Sequence, residues 1–254
     1  YFYLMSVNLK PQEYYYLSKP YRAEAEELLK YTFQSLAVDG HINAYYKAIY
    51  INRNEKYKRQ RIFIALGSNY KPTHPYSKAE QFVIDIFKGR GELRLYEIKH
   101  YLLDKLDDDI KGFKTKYVYQ DVKALKLCHL RYFLSNEGRK AINNYANLIE
   151  LIDSNIDDLL RTESVLNIHL KELGTGLVFL KDSTLDKLKQ KVTNLDELAA
   201  MFEILTDSVS YGGFGGYYGG MGGGGFSGGG SWGGFGGGMG GGGGSDVYRE
   251  AVYA

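Results

Sequence analysis

From Ser77 to Tyr145 the residue pattern changes period several times, and few small folds accept that order. SKAEQFVIDIFKG places Phe82, Ile86 and Phe87 at helical spacing. GELRL then reads as a short strand, after Gly89 and Gly91 have stopped the helix. YEIKHYLLDKL and YVYQDVKALKL carry two further helical stripes. The first is Ile98, Leu102, Leu103 and Leu106; the second is Tyr117, Val118, Val122, Leu125 and Leu127. LRYFLSNEGRKA closes the stretch as a strand, a turn at Asn136–Gly138 and the start of another helix, with the glycine expected to give the turn its backbone freedom. These periods predict that Phe82, Ile86, Leu102, Leu106, Val122, Leu125 and Phe133 face one another.

Helix, short strand, two helices and a strand pair is the order of a winged helix-turn-helix. The N-terminal part repeats it in outline. Pro11 suits the first turn of a helix running to Ser18. Between Arg22 and Asp39, Leu28, Leu29, Phe33, Leu36 and Ala37 form one apolar stripe, and Gly40 follows as a C-terminal stop. HINAYYKAIYIN and QRIFIALG read as two strands joined by the polar, basic segment Arg53–Arg61. The pattern therefore predicts an α+β, mostly helical chain: winged-helix-like units at 1–68 and 77–145, with a two-proline linker at 69–76. A helical appendage follows over 146–208, β-like around Gly174 and Gly176, with a last amphipathic helix in NLDELAAMFEILTDS.

Composition matters most at the C-terminus. Of the 31 glycines, 23 lie between Tyr211 and Gly244, punctuated by Phe, Tyr, Met and Trp. Such a segment loses more backbone entropy than it regains by burial, so a disordered tail is expected over 209–254. That leaves roughly 210 residues for folded structure. A formal net charge of +2 demands neither a nucleic acid nor an anionic membrane. The single cysteine, Cys128, forbids an intrachain disulfide. The chain opens YFYLMSV without an initiator methionine, which reads as a fragment or a processed product. No apolar run approaches the ~20 residues of a membrane span.

Two basic groups are candidate polyanion contacts. Arg53, Lys56, Lys58, Arg59 and Arg61 sit where a wing tip would be, and wings touch phosphates, although a solvated loop between two strands is the plainer reading. Lys123 and Lys126, with Lys111, Lys114 and Lys116, lie in or near the helix that would enter a groove of DNA. Asp107, Asp108, Asp109 and Asp121 dilute that field, so a solvated helix face is the plainer reading. Cys128–His129 lacks any metal spacing with His41, His74, His100 or His169. Gly174–Gly176 lacks the lysine and spacing of a phosphate loop. No nucleophile–base pattern stands out, and neither a cofactor nor a metal is expected.

One resemblance covers residues 9–245. The chain has Leu9-Lys10-Pro11-Gln12-Glu13-Tyr14-Tyr15-Tyr16-Leu17, then Leu36-Ala37-Val38-Asp39-Gly40-His41-Ile42. Glu80 to Phe87 follows, and Tyr132-Phe133 precedes Asn136-Glu137-Gly138-Arg139 and the Gly-rich tail. Order and spacing resemble the soluble C-terminal region of YciQ-like predicted bacterial membrane proteins, a family of unknown function. The resemblance implies no catalytic residues. It implies attachment to a membrane through a segment upstream of Tyr1, with the soluble part on the cytoplasmic side.

The sequence thus leads to a non-enzymatic interaction module, engaging a protein partner through the two units or the Gly-rich tail. The alternative is a cytosolic winged-helix nucleic-acid-binding protein. A lipid-headgroup or small-molecule binder is a third class.

Overall fold

The computed structural model describes residues 9–50, 57–106 and 110–189. Helix α1 (Pro11–Ser18) opens with proline at its first position, where the missing N–H costs nothing. Glu13, one turn in, accepts a hydrogen bond from the Lys10 backbone N–H at 2.9 Å. Helix α2 (Ala25–Val38) buries Leu28, Leu29, Phe33, Leu36 and Ala37. It ends at Gly40, whose φ of 68° lets the His41 N–H reach back to the Leu36 carbonyl at 2.8 Å. Strands β1 (Ile42–Ile49) and β2 (Arg59–Leu66) pair antiparallel, from Ile42 opposite Leu66 to Ile49 opposite Arg59.

Helix α3 (Lys78–Phe87) is capped by Ser77, with Glu80 reaching back to the Ser77 N–H at 3.0 Å. Strand β3 (Leu93–Arg94) then pairs with β2, placing Leu93 opposite Ile64. Helix α4 (Leu95–Lys105) follows. Helix α5 (Lys111–Phe113), a π-helical turn (Lys114–Val118) and α6 (Tyr119–Ala124) run on as one rod. Strands β4 (Cys128–Leu130) and β5 (Phe133–Leu134) make a second, separate antiparallel pair. Beyond it lie α7 (Asn136–Leu159), α8 (Glu163–Leu173), a 3₁₀ turn (Gly174–Phe179) and α9 (Asp182–Lys189). The described chain is α-rich with two small antiparallel sheets, as an α+β, mostly helical chain should be.

A single core runs from Leu9 in front of α1 to Leu188 in α9. Tyr16, Phe33, Phe82, Phe87 and Phe113 fill it from both halves, and β3 of the second half completes the sheet of the first. Short strand β3 joins β2, not the β4–β5 hairpin of its own half.

Several local expectations are revised. Phe82, Ile86, Leu102, Leu106 and Val122 are buried as their spacing required, but Leu125 is 44 % and Phe133 59 % exposed. Helix α6 stops at Ala124, and Lys126 takes a left-handed conformation with φ 58°. The Leu127 N–H then bonds the Val122 carbonyl at 3.0 Å and the Lys126 N–H bonds Lys123 at 3.0 Å. This reversal sends Leu127 into the core in place of Leu125. Gly138 is no turn residue: α7 has already begun at Asn136, capped by the Ser135 hydroxyl accepting from the Gly138 N–H at 2.9 Å. Glycine is needed there because an added Cβ would stand 2.1 Å from the Leu127 carbonyl oxygen. The β-like reading around Gly174 and Gly176 is replaced by the end of α8 and the 3₁₀ turn. The expected helix in NLDELAAMFEILTDS, the Gly-rich tail and the side chain of Leu103 lie outside the described residues.

Candidate functional site

The β4–β5 hairpin turns on two residues, Arg131 and Tyr132. Leu130 pairs with Phe133 across the ladder, so their side chains share a face. A register irregularity between Cys128 and Leu130 breaks the strand alternation: Cys128 is buried, while Leu130 is 63 % exposed. Directly following residues on a strand point to opposite faces, so Leu134 turns inward as Phe133 turns out.

The hairpin is clamped from behind. The Tyr16 hydroxyl donates to the Arg131 carbonyl. Tyr21 stacks on Tyr132 with ring centroids 4.5 Å apart. The Lys114 ammonium lies 6.0 Å from the Tyr132 ring and 5.8 Å from that of Tyr16. Burial pushes the Lys114 ammonium below its ordinary pKa, and the nearby Arg131 charge adds to that. Arg131 itself lies 6.0 Å from the centre of the Tyr119 ring. The result is an apolar pair held out on a fixed mount and edged by cations.

Lys123 and Lys126, both exposed, stand on either side of the outward-turned Leu125, and α6 packs against β4. These two sequence candidates therefore belong to the hairpin surface. On α7, Glu137 is held below the usual carboxylate range by its own backbone N–H, helped by the Ser135 hydroxyl and the charges of Lys140 and His129. Of the other basic candidates, Lys58, Arg59 and Arg61 are exposed at the start of β2. Lys58 sits 5.5 Å from the ring of Tyr50, and Tyr46 and Tyr57 are exposed nearby in the same hairpin. Arg53, Lys56, Asp107, Asp108 and Asp109 lie outside the described residues.

Sequence reasoning missed a buried group of three carboxylates. Glu13, Glu80 and Asp121 are each under a tenth exposed, and Lys10 forms an ion pair with Glu80. Asp121 accepts the Lys78 N–H at 2.7 Å and the Ala79 N–H at 2.9 Å. All three thus serve helix N-termini: Glu13 that of α1, Glu80 and Asp121 that of α3. The Ser77-x-x-Glu80 box was the readable signal; nothing local announces Asp121, which comes from α6. Burial pushes the Glu13 carboxyl up to about 7, against the hydrogen bond from Lys10. Burial likewise raises Asp121 against its two backbone hydrogen bonds.

An open groove of about 460 Å³ lies along α3, where Gln81 and Phe82 meet Lys105, Lys116 and Tyr117. Its carboxylate, Asp85, accepts from Gln81 at 2.6 Å and pairs with Lys88 at 2.6 Å. Cys128 is buried and His129 exposed, so the adjacent pair does not converge. Among the described residues no group of three His, Cys, Asp or Glu side chains is placed to hold a metal ion. Among them, too, no helix is long and apolar enough to cross a membrane. Compared with family models, curated proteins and solved structures, the chain finds no match.

Proposed function

We propose that the chain is a non-enzymatic interaction module whose contact surface is the outer face of the second hairpin. The Leu130–Phe133 pair carries this reading: two large apolar side chains, 63 % and 59 % exposed, on a hairpin braced by Tyr16 and Tyr21. Scattered exposed apolar residues are ordinary; a facing pair on a rigid mount is what a partner's pocket or surface selects. In this reading both halves are winged-helix-like units, and β4–β5 is the wing of the second. The chain is then the soluble portion of a bacterial membrane-anchored protein, as the Leu9–Leu17 and Leu36–Ile42 segments and the Gly-rich tail support.

Exposed Lys58 and Arg61, beside Tyr46, Tyr50 and Tyr57, favour a second reading: nucleic acid bound by the first hairpin. Duplex binding that persists at physiological salt and is lost in Arg61→Glu would put it first.

The test places a photo-reactive phenylalanine analogue at position 133, with a control at the exposed α7 residue Ser154. In the cells that make the protein, position 133 should give a discrete adduct and position 154 none. Equal, diffuse labelling from both would refute the assignment.

A further inference from the structure

We propose that the second hairpin docks on the surface of an anionic lipid bilayer. This rests on the reading of that hairpin as the contact surface. Three kinds of side chain that such a surface binds sit on or next to this hairpin. Flanking the Arg131–Tyr132 turn are Leu130 and Phe133, paired on one face and exposed. At the turn itself Tyr132 stacks on Tyr21, which is 65 % exposed. Around them are the cations Lys123, Lys126, Arg131 and Lys140, all exposed.

The charge is local. From Lys123 to Lys140 the sequence has five Lys or Arg against one Glu, whereas the whole chain balances 32 against 30. A bilayer interface takes apolar tips into the acyl boundary, holds tyrosines at headgroup level and binds cations to anionic headgroups. A duplex of nucleic acid rewards the cations but gains nothing from the exposed Leu130–Phe133 pair. A protein partner of standard interface size, roughly 800 Å² per side, would need contacts beyond this one hairpin.

Lys126 adds an independent sign. Its φ of 58° is one that glycine adopts freely and lysine rarely does. The geometry there favours glycine; the charge of lysine is what glycine would lack.

The experiment sediments the full chain with vesicles of zwitterionic phosphatidylcholine, alone or with 30 mol% anionic phosphatidylglycerol as a starting composition. Binding should be at least about tenfold tighter to the anionic vesicles and should weaken as salt rises. The double variant Leu130→Thr, Phe133→Thr, which adds no charge and keeps strand-forming residues in the pair, should lose at least about tenfold with little change in melting temperature, because both residues are exposed. Lys126→Gly should melt higher and yet bind about fivefold more weakly, a loss no unfolding explains. Failure to sediment at low salt overturns the proposal. So does a double variant that binds like the parent, since the tail is common to both. Duplex DNA held more tightly than the anionic vesicles at physiological salt, in the parent and the double variant alike, overturns it in favour of nucleic acid. If vesicles are ignored while position 133 still cross-links to a protein in cells, the lipid assignment falls and the interaction reading stands.

Discussion

Replacing Glu13 by glutamine should reshape the pH dependence of stability. Glu13 is 3 % exposed at the start of α1, with Asp121 and Glu80 adding negative charge around it and Lys10 opposing them. Burial is the largest influence and carries its pKa from 4.5 to about 7. The folded chain therefore holds a proton on Glu13 that the unfolded chain releases between those values. Stability from this group is fully present below the unfolded pKa and is lost as pH rises through the folded one. At ~1.4 kcal/mol per unit, the swing amounts to about 3 kcal/mol. Glutamine keeps an oxygen for the Lys10 N–H and never ionises. Asp85 and Glu97, whose pKa values are lowered, tilt stability the other way at acid pH, but they are common to both proteins and cancel in the difference. Urea unfolding of parent and Glu13→Gln at pH 5 and pH 8 reads that difference. The variant should gain up to about 3 kcal/mol relative to the parent on going to pH 8. Parallel stability curves would mean that Glu13 is ionised at little cost and that the buried carboxylate group is wrongly described.

Leu125→Ala should change unfolding free energy by no more than about 0.5 kcal/mol, while Leu102→Ala, fully buried, should cost about 2–5 kcal/mol. Comparable losses would restore Leu125 to the core. Gly138→Ala should cost at least about 1–3 kcal/mol, because the new methyl meets the Leu127 carbonyl, which the Ser135 N–H also uses at 3.0 Å. An alanine as stable as the parent would show that α7 and Leu127 are less closely packed.

What was legible in the sequence was whatever a short window encodes. Pro11 begins α1, the Leu28–Ala37 stripe and Gly40 bound α2, and the alternating β1 and β2 segments pair in full. The order of elements from Ser77 to Ala124 was readable for the same reason, whereas LRYFL reads as one strand and instead turns at Arg131 and Tyr132. Partner choice was not. Leu93 and Arg94 carry no mark that they will join β2 across some thirty residues, because two residues of strand fit any open edge. Leu125 kept helical phase on paper, but the helix ended one residue earlier in a reversal normally signalled by glycine and here made by Lys126. Gly138 looked like turn chemistry and is instead a close helix–carbonyl approach. For the candidate site, Lys123 and Lys126 were read from charge alone. Leu130 and Phe133 were hidden because an apolar residue on a short strand looks the same whether it faces core or solvent.

In the proposed reading the Leu130–Phe133 face is covered when the protein works. Hydroxyl-radical footprinting compares side-chain oxidation in the purified chain and in intact cells. Leu130 and Phe133 should oxidise readily in the purified chain and be protected several-fold in cells, while Tyr57, 81 % exposed on the other hairpin, should label equally in both. Equal oxidation of Leu130 and Phe133 in the two settings would contradict the claim and leave the second hairpin as ordinary surface.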